Sequence, residues 1–217
     1  MTERSLLAMV LLAAAVAIPA RAKAPAPADF FPLRAGDWWR YRVTTAGGTS
    51  AEFTVTVLRQ ERKPNGAIAV VMETRTDKPV THDWYAKAGG WVLHERQLQI
   101  ASGQSVTFEP PKRALRNPPQ VGDRWEWKGT GLGGVDVETE AEVADVGTVE
   151  APAGTFRAVR VSSRATQDGV PVTRTLWYAA GVGLVRSESD VDEERSATEL
   201  VDYSFRPKAV AGAGGRK

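Results

Sequence analysis

Apolar positions in this chain recur at every second residue, the period of a strand with one face buried and one in water. Val135–Val143, "VDVETEAEV", alternates apolar with acidic or polar residues with hardly a fault. Trp38–Thr44, Ala51–Arg59, Ala67–Thr74, Thr81–Ala86 and Trp91–Leu98 are short runs rich in Val, Thr, Trp and Tyr. Gly47-Gly48, Pro64-Asn65-Gly66, Asp77-Lys78-Pro79 and Gly89-Gly90 punctuate them. Turn residues between β-prone runs predict an antiparallel meander. No window of ten or more residues beyond position 24 carries a helical stripe, which leaves room only for a short helix, at Ala114–Arg116 or just after residue 24. "EPPKRALRNPPQ" (Glu109–Gln120) has two prolines at each end and reads as a connector or an edge segment, because proline has no N–H for a ladder.

The pattern is written twice. "GDWWRYRV" (Gly36–Val43) matches "GDRWEWKG" (Gly122–Gly129), and "PVTHDWYAKAGGWVLHE" (Pro79–Glu95) matches "PVTRTLWYAAGVGLVRSE" (Pro171–Glu188). Even the exits correspond, "FEPPK" at Phe108 and "SFRPK" at Ser204. The spacing widens between the matches, so the second copy carries a short insertion, placed around "GTVEAPAGTF". The expected organisation is a signal peptide at 1–24, a first β repeat at 32–112, a Pro-rich connector at 113–121, a second repeat at 122–208 and a disordered tail at 209–217. One meander cannot bury its apolar face alone. The fold class is therefore all-β and mainly antiparallel, as a curved half-barrel sheet or a two-sheet sandwich. The first is preferred because Ala67–Glu73 is apolar on both faces.

Composition changes the picture at the ends. Arg4 followed by the apolar run Leu6–Ala20 and the small-x-small sites Ala20-Arg21-Ala22 and Ala22-Lys23-Ala24 has the layout of a secretory signal, cut after Ala22 or Ala24. The run is short for a membrane span. Of 28 basic and 26 acidic residues, the leader takes three basic (Arg4, Arg21, Lys23) and one acidic (Glu3), leaving 25 of each. A neutral mature chain lacks the positive field of a nucleic-acid binder. There is no cysteine, hence no disulfide and no lipid on an N-terminal Cys, and stability must come from a buried core.

Candidate chemistry is sparse. His82 and His94 sit on separate strands, with Thr175 and Ser187 at the matching places of the second copy. Neither has a second ligand at metal spacing, so neither reads as a ligand or base, and no metal or cofactor is expected. There is no Gly-x-Ser-x-Gly elbow. The acidic run Asp190–Glu194 lacks the spacing of a calcium loop. An enclosed carboxylate pair, or His82 beside a carboxylate, would point instead to hydrolysis. Of the seven tryptophans, Trp38 and Trp91 have no aromatic counterpart in the other copy, where Arg124 and Leu184 stand. They are the candidate ligand-binding residues, with packing as the competing role.

"VEAPAGTFRAVRVSS … TRTLWYAAGVGLVRSES … TELVDYSF" (Val149–Phe205) resembles a family of exported bacterial β proteins of unknown function, marked by "PAGTF" and "WYapGvGlV". That family is similar in outline to the lipoprotein-carrier class, which implies a curved antiparallel sheet with a helical lid around an acyl-chain cavity and supplies no catalytic residues. The expected function is a non-enzymatic periplasmic or secreted envelope protein that binds an apolar ligand (lipid or acyl chain) or an exported polypeptide on a concave β surface. The alternative is a structural or adaptor module without a small-molecule site. The expected partners are a lipid or an envelope protein, with no nucleic acid and no membrane span after signal cleavage.

Overall fold

A computed structural model describes residues 27–205. The leader expected over 1–24 and the tail over 209–217 lie outside the described residues. Twelve strands follow one another: β1 (Trp38–Thr45), β2 (Ser50–Arg62), β3 (Ile68–Arg75), β4 (Pro79–Ala88), β5 (Trp91–Gln99), β6 (Ser105–Arg116), β7 (Arg124–Thr130), β8 (Asp136–Ala151), β9 (Gly154–Gln167), β10 (Val170–Ala179), β11 (Gly183–Val191) and β12 (Glu194–Tyr203). All join one antiparallel sheet in the order β6-β5-β4-β3-β2-β1-β12-β11-β10-β9-β8-β7. Each strand pairs with its neighbours in sequence except β6 with β7, and β1 closes on β12 with Tyr41 opposite Leu200. The sheet thus curls into a nearly closed barrel. Of the two arrangements left open by the sequence, the single curved sheet is the one formed.

The unladdered side of the barrel lies mid-chain, between β6 and β7. β6 takes in Pro110 and Pro111 and continues through Ala114–Arg116, where a short helix was the expectation and where the connector was expected to have begun. Strand wins there because Leu115, opposite Val92, is wholly buried on the inner face while Arg113 and Arg116 point outward to water. The prolines confine β6 to an edge, since they cannot donate to a further strand. Two indoles bridge the gap instead: Trp125 Nε1 donates to the Arg113 carbonyl at 3.0 Å and Trp127 Nε1 to that of Pro110 at 2.8 Å.

Alternation sets the faces. Trp39 and Tyr41 are buried in β1 while Arg40 and Arg42 are exposed. The outer face carries ion pairs at mid-strand, Arg42–Glu52 at 2.9 Å and Arg186–Glu199 at 3.2 Å, where a lipid-facing band would be apolar. No helix among the described residues is long and apolar enough to cross a membrane.

One end of the barrel is capped from two sides. β8 and β9 run well past the level at which β2 and β3 turn back, bent by a register shift between Val143 and Asp145. This extra hairpin, which holds "GTVEAPAGTF", brings Val149 and Phe156 onto the core around Leu200 and Tyr203. From the other side the segment Asp29–Leu33 enters. Asp29 accepts from Lys87 Nζ at 2.7 and 2.8 Å and from Asn117 Nδ2 at 2.8 Å, and its carbonyl accepts from Gly181 N–H at 2.6 Å.

Candidate functional site

The cap makes the floor of the site. Phe31 lies 5.2 Å from the Tyr85 ring and 6.3 Å from the Tyr178 ring. Pro32 packs on Gly183, whose φ of +97° and lack of a side chain leave room: an added Cβ would sit 3.4 Å from Pro32 Cδ. Above this floor the interior holds a cavity of about 290 Å3, lined by Phe31, Trp39, Val55, Met72, Leu176 and Leu184 among others. Its walls come from β1, β2, β3, β4, β10, β11 and β12, with Thr74, Asp83 and Thr198 as polar points among the apolar side chains.

Two bonds across the interior set the shape of the cavity. Trp39 Nε1 donates to the Val182 carbonyl at 2.7 Å, and the Tyr41 hydroxyl to that of Leu184 at 2.9 Å. Each satisfies a buried polar atom while turning the rest of its ring toward the cavity. Burial pushes the Tyr41, Tyr85 and Tyr178 hydroxyls above the ordinary range, Tyr178 to about 12. All three are neutral phenols in the physiological range.

A polar rung crosses the wall formed by β4 and β5. Asp83, the one fully buried charged residue among the described residues, accepts from Thr81 Oγ1 at 2.8 Å and from Gln97 Nε2 at 3.0 Å. His94 Nε2 stands 2.9 Å from Asp83 Oδ1. The His94 ring lies between Tyr85, stacked at 4.5 Å, and Phe108 at 4.6 Å. On the outer face His82 Nε2 is 3.1 Å from Glu73 Oε2. Burial opposes the charge of Glu73, but its bonds with His82 and Arg75 outweigh this and hold the carboxyl below the usual range. Neither imidazole stands alone, contrary to the reading of isolated histidines. Their partners lie on a neighbouring strand or at a diagonal across one, and periodicity along a single strand does not reveal such pairs.

Comparison with known proteins bears mainly on the second half of the chain and on the fold. Residues 134–199 match the model of a family described as DUF3108-like. This stretch covers less than half of the chain and holds both motifs, "PAGTF" and "WYAAGVGLV", that carried the sequence resemblance. No curated protein matches the sequence. A candidate lipoprotein from Parabacteroides distasonis superposes with a TM-score of 0.51 at 16% identity, over 83% of this chain and 100% of that one. A candidate exported protein with a YmcC-like fold, from Bacteroides fragilis, superposes at 0.50 with 18% identity, over 82% and 99%. At these identities the likeness is one of fold. It is nonetheless a likeness over the whole of those chains.

Neither tryptophan singled out by the sequence lines the interior cavity. Trp38 sits on the outer face opposite Thr56, since its neighbour Trp39 takes the inner one. Trp91 leans on the β6–β7 gap, its ring 5.6 Å from Trp125, with the guanidinium carbons of Arg113 and Arg116 at 5.0 and 5.2 Å from its centre. The residues that do line the cavity include Trp39 and Leu184. The usable signal lay in the glycine: Gly181-Val182-Gly183 widens a turn that is tight in the first copy, and the floor docks there. The acidic run Asp190–Glu194 is a hairpin turn, with Asp192 and Glu193 at positive φ and Arg195 Nε 2.9 Å from Asp190. Among the described residues no group of three or more His, Asp or Glu side chains is placed to hold a metal ion.

Proposed function

We propose that the protein is an exported envelope protein that holds an apolar ligand, an acyl chain, inside the barrel. The observation that carries this is the cavity of about 290 Å3 walled by aromatic and aliphatic side chains above a docked floor. It is roughly twice the ~150 Å3 apolar void that takes up a benzene ring, so a chain on the order of ten carbons fits. Small-molecule sites have this character, concave and mostly apolar with a few placed polar groups. Export is supported by the secretory layout of the leader and by the descriptions of the two structural relatives, one a candidate lipoprotein and one a candidate exported protein. His82 does stand beside a carboxylate, Glu73, the arrangement that would point to hydrolysis. That pair lies on the outer face, shared with Arg75 and apart from the cavity lining. The faces of His94 are covered by Tyr85 and Phe108, and a binding role fits both histidines better than a catalytic one. Neither the family description nor those relatives' names state an activity.

The test is titration with the neutral fluorophore N-phenyl-1-naphthylamine, together with native mass spectrometry of protein taken from its own envelope. Saturable uptake of the fluorophore, lost when Leu184→Trp or Val55→Trp fills the cavity, is the expected result. Trp38→Ala and Trp91→Ala leave uptake unchanged if the interior is the site; loss with either moves the ligand to the outer face or the gap. No uptake and a bare native mass would favour the adaptor module without a small-molecule site.

A further inference from the structure

The inner surface carries two cations beyond the apolar cavity, Lys112 and Arg174. On β10 the inward residues are Tyr178, Leu176 and then Arg174, which lies about 7 Å along the strand from Leu176 toward the uncapped end. Arg174 is exposed although it faces inward, and the next inward residue beyond it, Val172, is buried again. Lys112 on β6 is the register partner of His94, whose ring faces the interior. Its ammonium lies 5.2 Å from the centre of the Trp127 ring.

Outside, several arginines stand against carboxylates, as in Arg42–Glu52, Arg59–Glu61 and Arg160–Asp145, while others such as Arg157 and Arg164 lie exposed to water. Among the described residues neither Lys112 nor Arg174 forms an ion pair with a carboxylate. Asp83, the interior acid, already accepts hydrogen bonds from Thr81 and Gln97. The two cations also repel one another: burial and then the nearby Arg174 charge lower Lys112 to about 8. Two like charges kept inside a barrel without a counter-ion of their own form a destabilised arrangement that an anion relieves.

We infer that Lys112 and Arg174 bind the anionic head of the amphiphile whose chain fills the cavity, so that the ligand class is a single-chain acyl anion, carboxylate- or phosphate-headed. This rests on the cavity reading above. Arg174 shares a face of β10 with Leu176 and Tyr178, both of which line the cavity, so a head held at Arg174 stands next to the chain.

The experiment compares decanoate, decyl phosphate, decanol and inorganic phosphate as displacers of bound N-phenyl-1-naphthylamine, all below their aggregation limits. Both decyl anions are expected to displace the probe at concentrations at least tenfold below decanol, and inorganic phosphate is expected to have no effect. Arg174→Gln and Lys112→Met are each expected to cut that preference several-fold, and the double variant to abolish it without weakening decanol. Arg174→Glu, at an exposed position, should turn the preference toward decyltrimethylammonium. Equal displacement by decanol and decanoate in the unaltered protein would overturn the headgroup site while leaving the cavity reading in place. Failure of the probe to bind at all would overturn the cavity reading first. Saturable binding of inorganic phosphate alone would make this a free-anion site and overturn the amphiphile.

Discussion

The two halves of the barrel open in the same way and then diverge. At the start of β1, Gly36 N–H donates to the Val57 carbonyl at 2.8 Å, Val57 N–H to Asp37 at 2.8 Å and Asp37 N–H to Arg34 at 3.0 Å. At the start of β7, Gly122 donates to Val143 at 2.8 Å, Val143 to Asp123 at 2.9 Å and Asp123 to Gln120 at 3.0 Å. Gly36 and Gly122 share the left-handed backbone, at φ of 89° and 90°. The two corners thus share one pattern of backbone hydrogen bonds. Beyond the corners the aromatic donors find different work. Those of β1 reach carbonyls at the head of β11 and shape the cavity. Those of β7 reach β6 and stand in for a missing ladder. One corner geometry thus serves a cavity wall in one half and a closure in the other, and the neighbouring strand decides which.

The comparison can be broken most forcefully at Trp39. Trp39→Ala removes a ring that is 3% exposed and leaves the Val182 carbonyl without its donor. Stability to urea should fall by about 3–5 kcal/mol, against less than about 1 kcal/mol for the outward Trp38→Ala. Next come Trp125→Phe and Trp127→Phe, each expected to cost about 1–3 kcal/mol for an abandoned carbonyl. Their particular mark is faster amide exchange confined to β6 and β7, whereas Tyr41→Phe should leave those strands protected and loosen the head of β11. Uniform acceleration in all three would remove the distinction between the halves.

A smaller effect concerns the floor. Burial raises the Asp29 carboxyl, but its bonds with Lys87, Asn117 and the Phe31 N–H outweigh this and hold it below its ordinary 3.8. A depressed carboxyl stabilises the fold above its unfolded value and loses that contribution as pH falls through the folded one. The floor should therefore loosen only below about pH 4, by on the order of 1 kcal/mol given its exposure. Asp29→Asn should abolish this acid step in probe binding. The smallest effect is in the turns. Gly89-Gly90 closes β4–β5 at positive φ without strain, while Asp192-Glu193 closes β11–β12 with two side chains there. Asp192→Asn with Glu193→Gly should raise stability by up to about 1 kcal/mol in thermal unfolding.

Much of the fold was legible. Period-two alternation and glycine punctuation placed the first five strands, and the matched motifs placed their counterparts. β6 was half legible: of the two readings of Glu109–Gln120, a connector or an edge segment, its first part forms the edge strand, because only the unpaired side on the gap tolerates prolines. The site was largely hidden. An orphan tryptophan looks like a binding residue in sequence, yet parity puts Trp38 outside and the gap claims Trp91. Arg174, Lys112 and Asp83 meet only because closure brings β4, β6 and β10 around one interior, and no spacing along the chain encodes that.

The mid-chain position of the gap also bears on how quickly the barrel assembles. Every ladder but one joins strands adjacent in sequence; the exception, β1 with β12, pairs Tyr41 with Leu200 and must close most of the chain into a loop. That step carries the largest entropic cost of assembly and dominates the contact order. A circular permutant opened within residues 117–123, with residue 205 linked to residue 29, keeps all eleven ladders and turns the slow closure into a hairpin. It should refold faster than the parent at nearly unchanged stability.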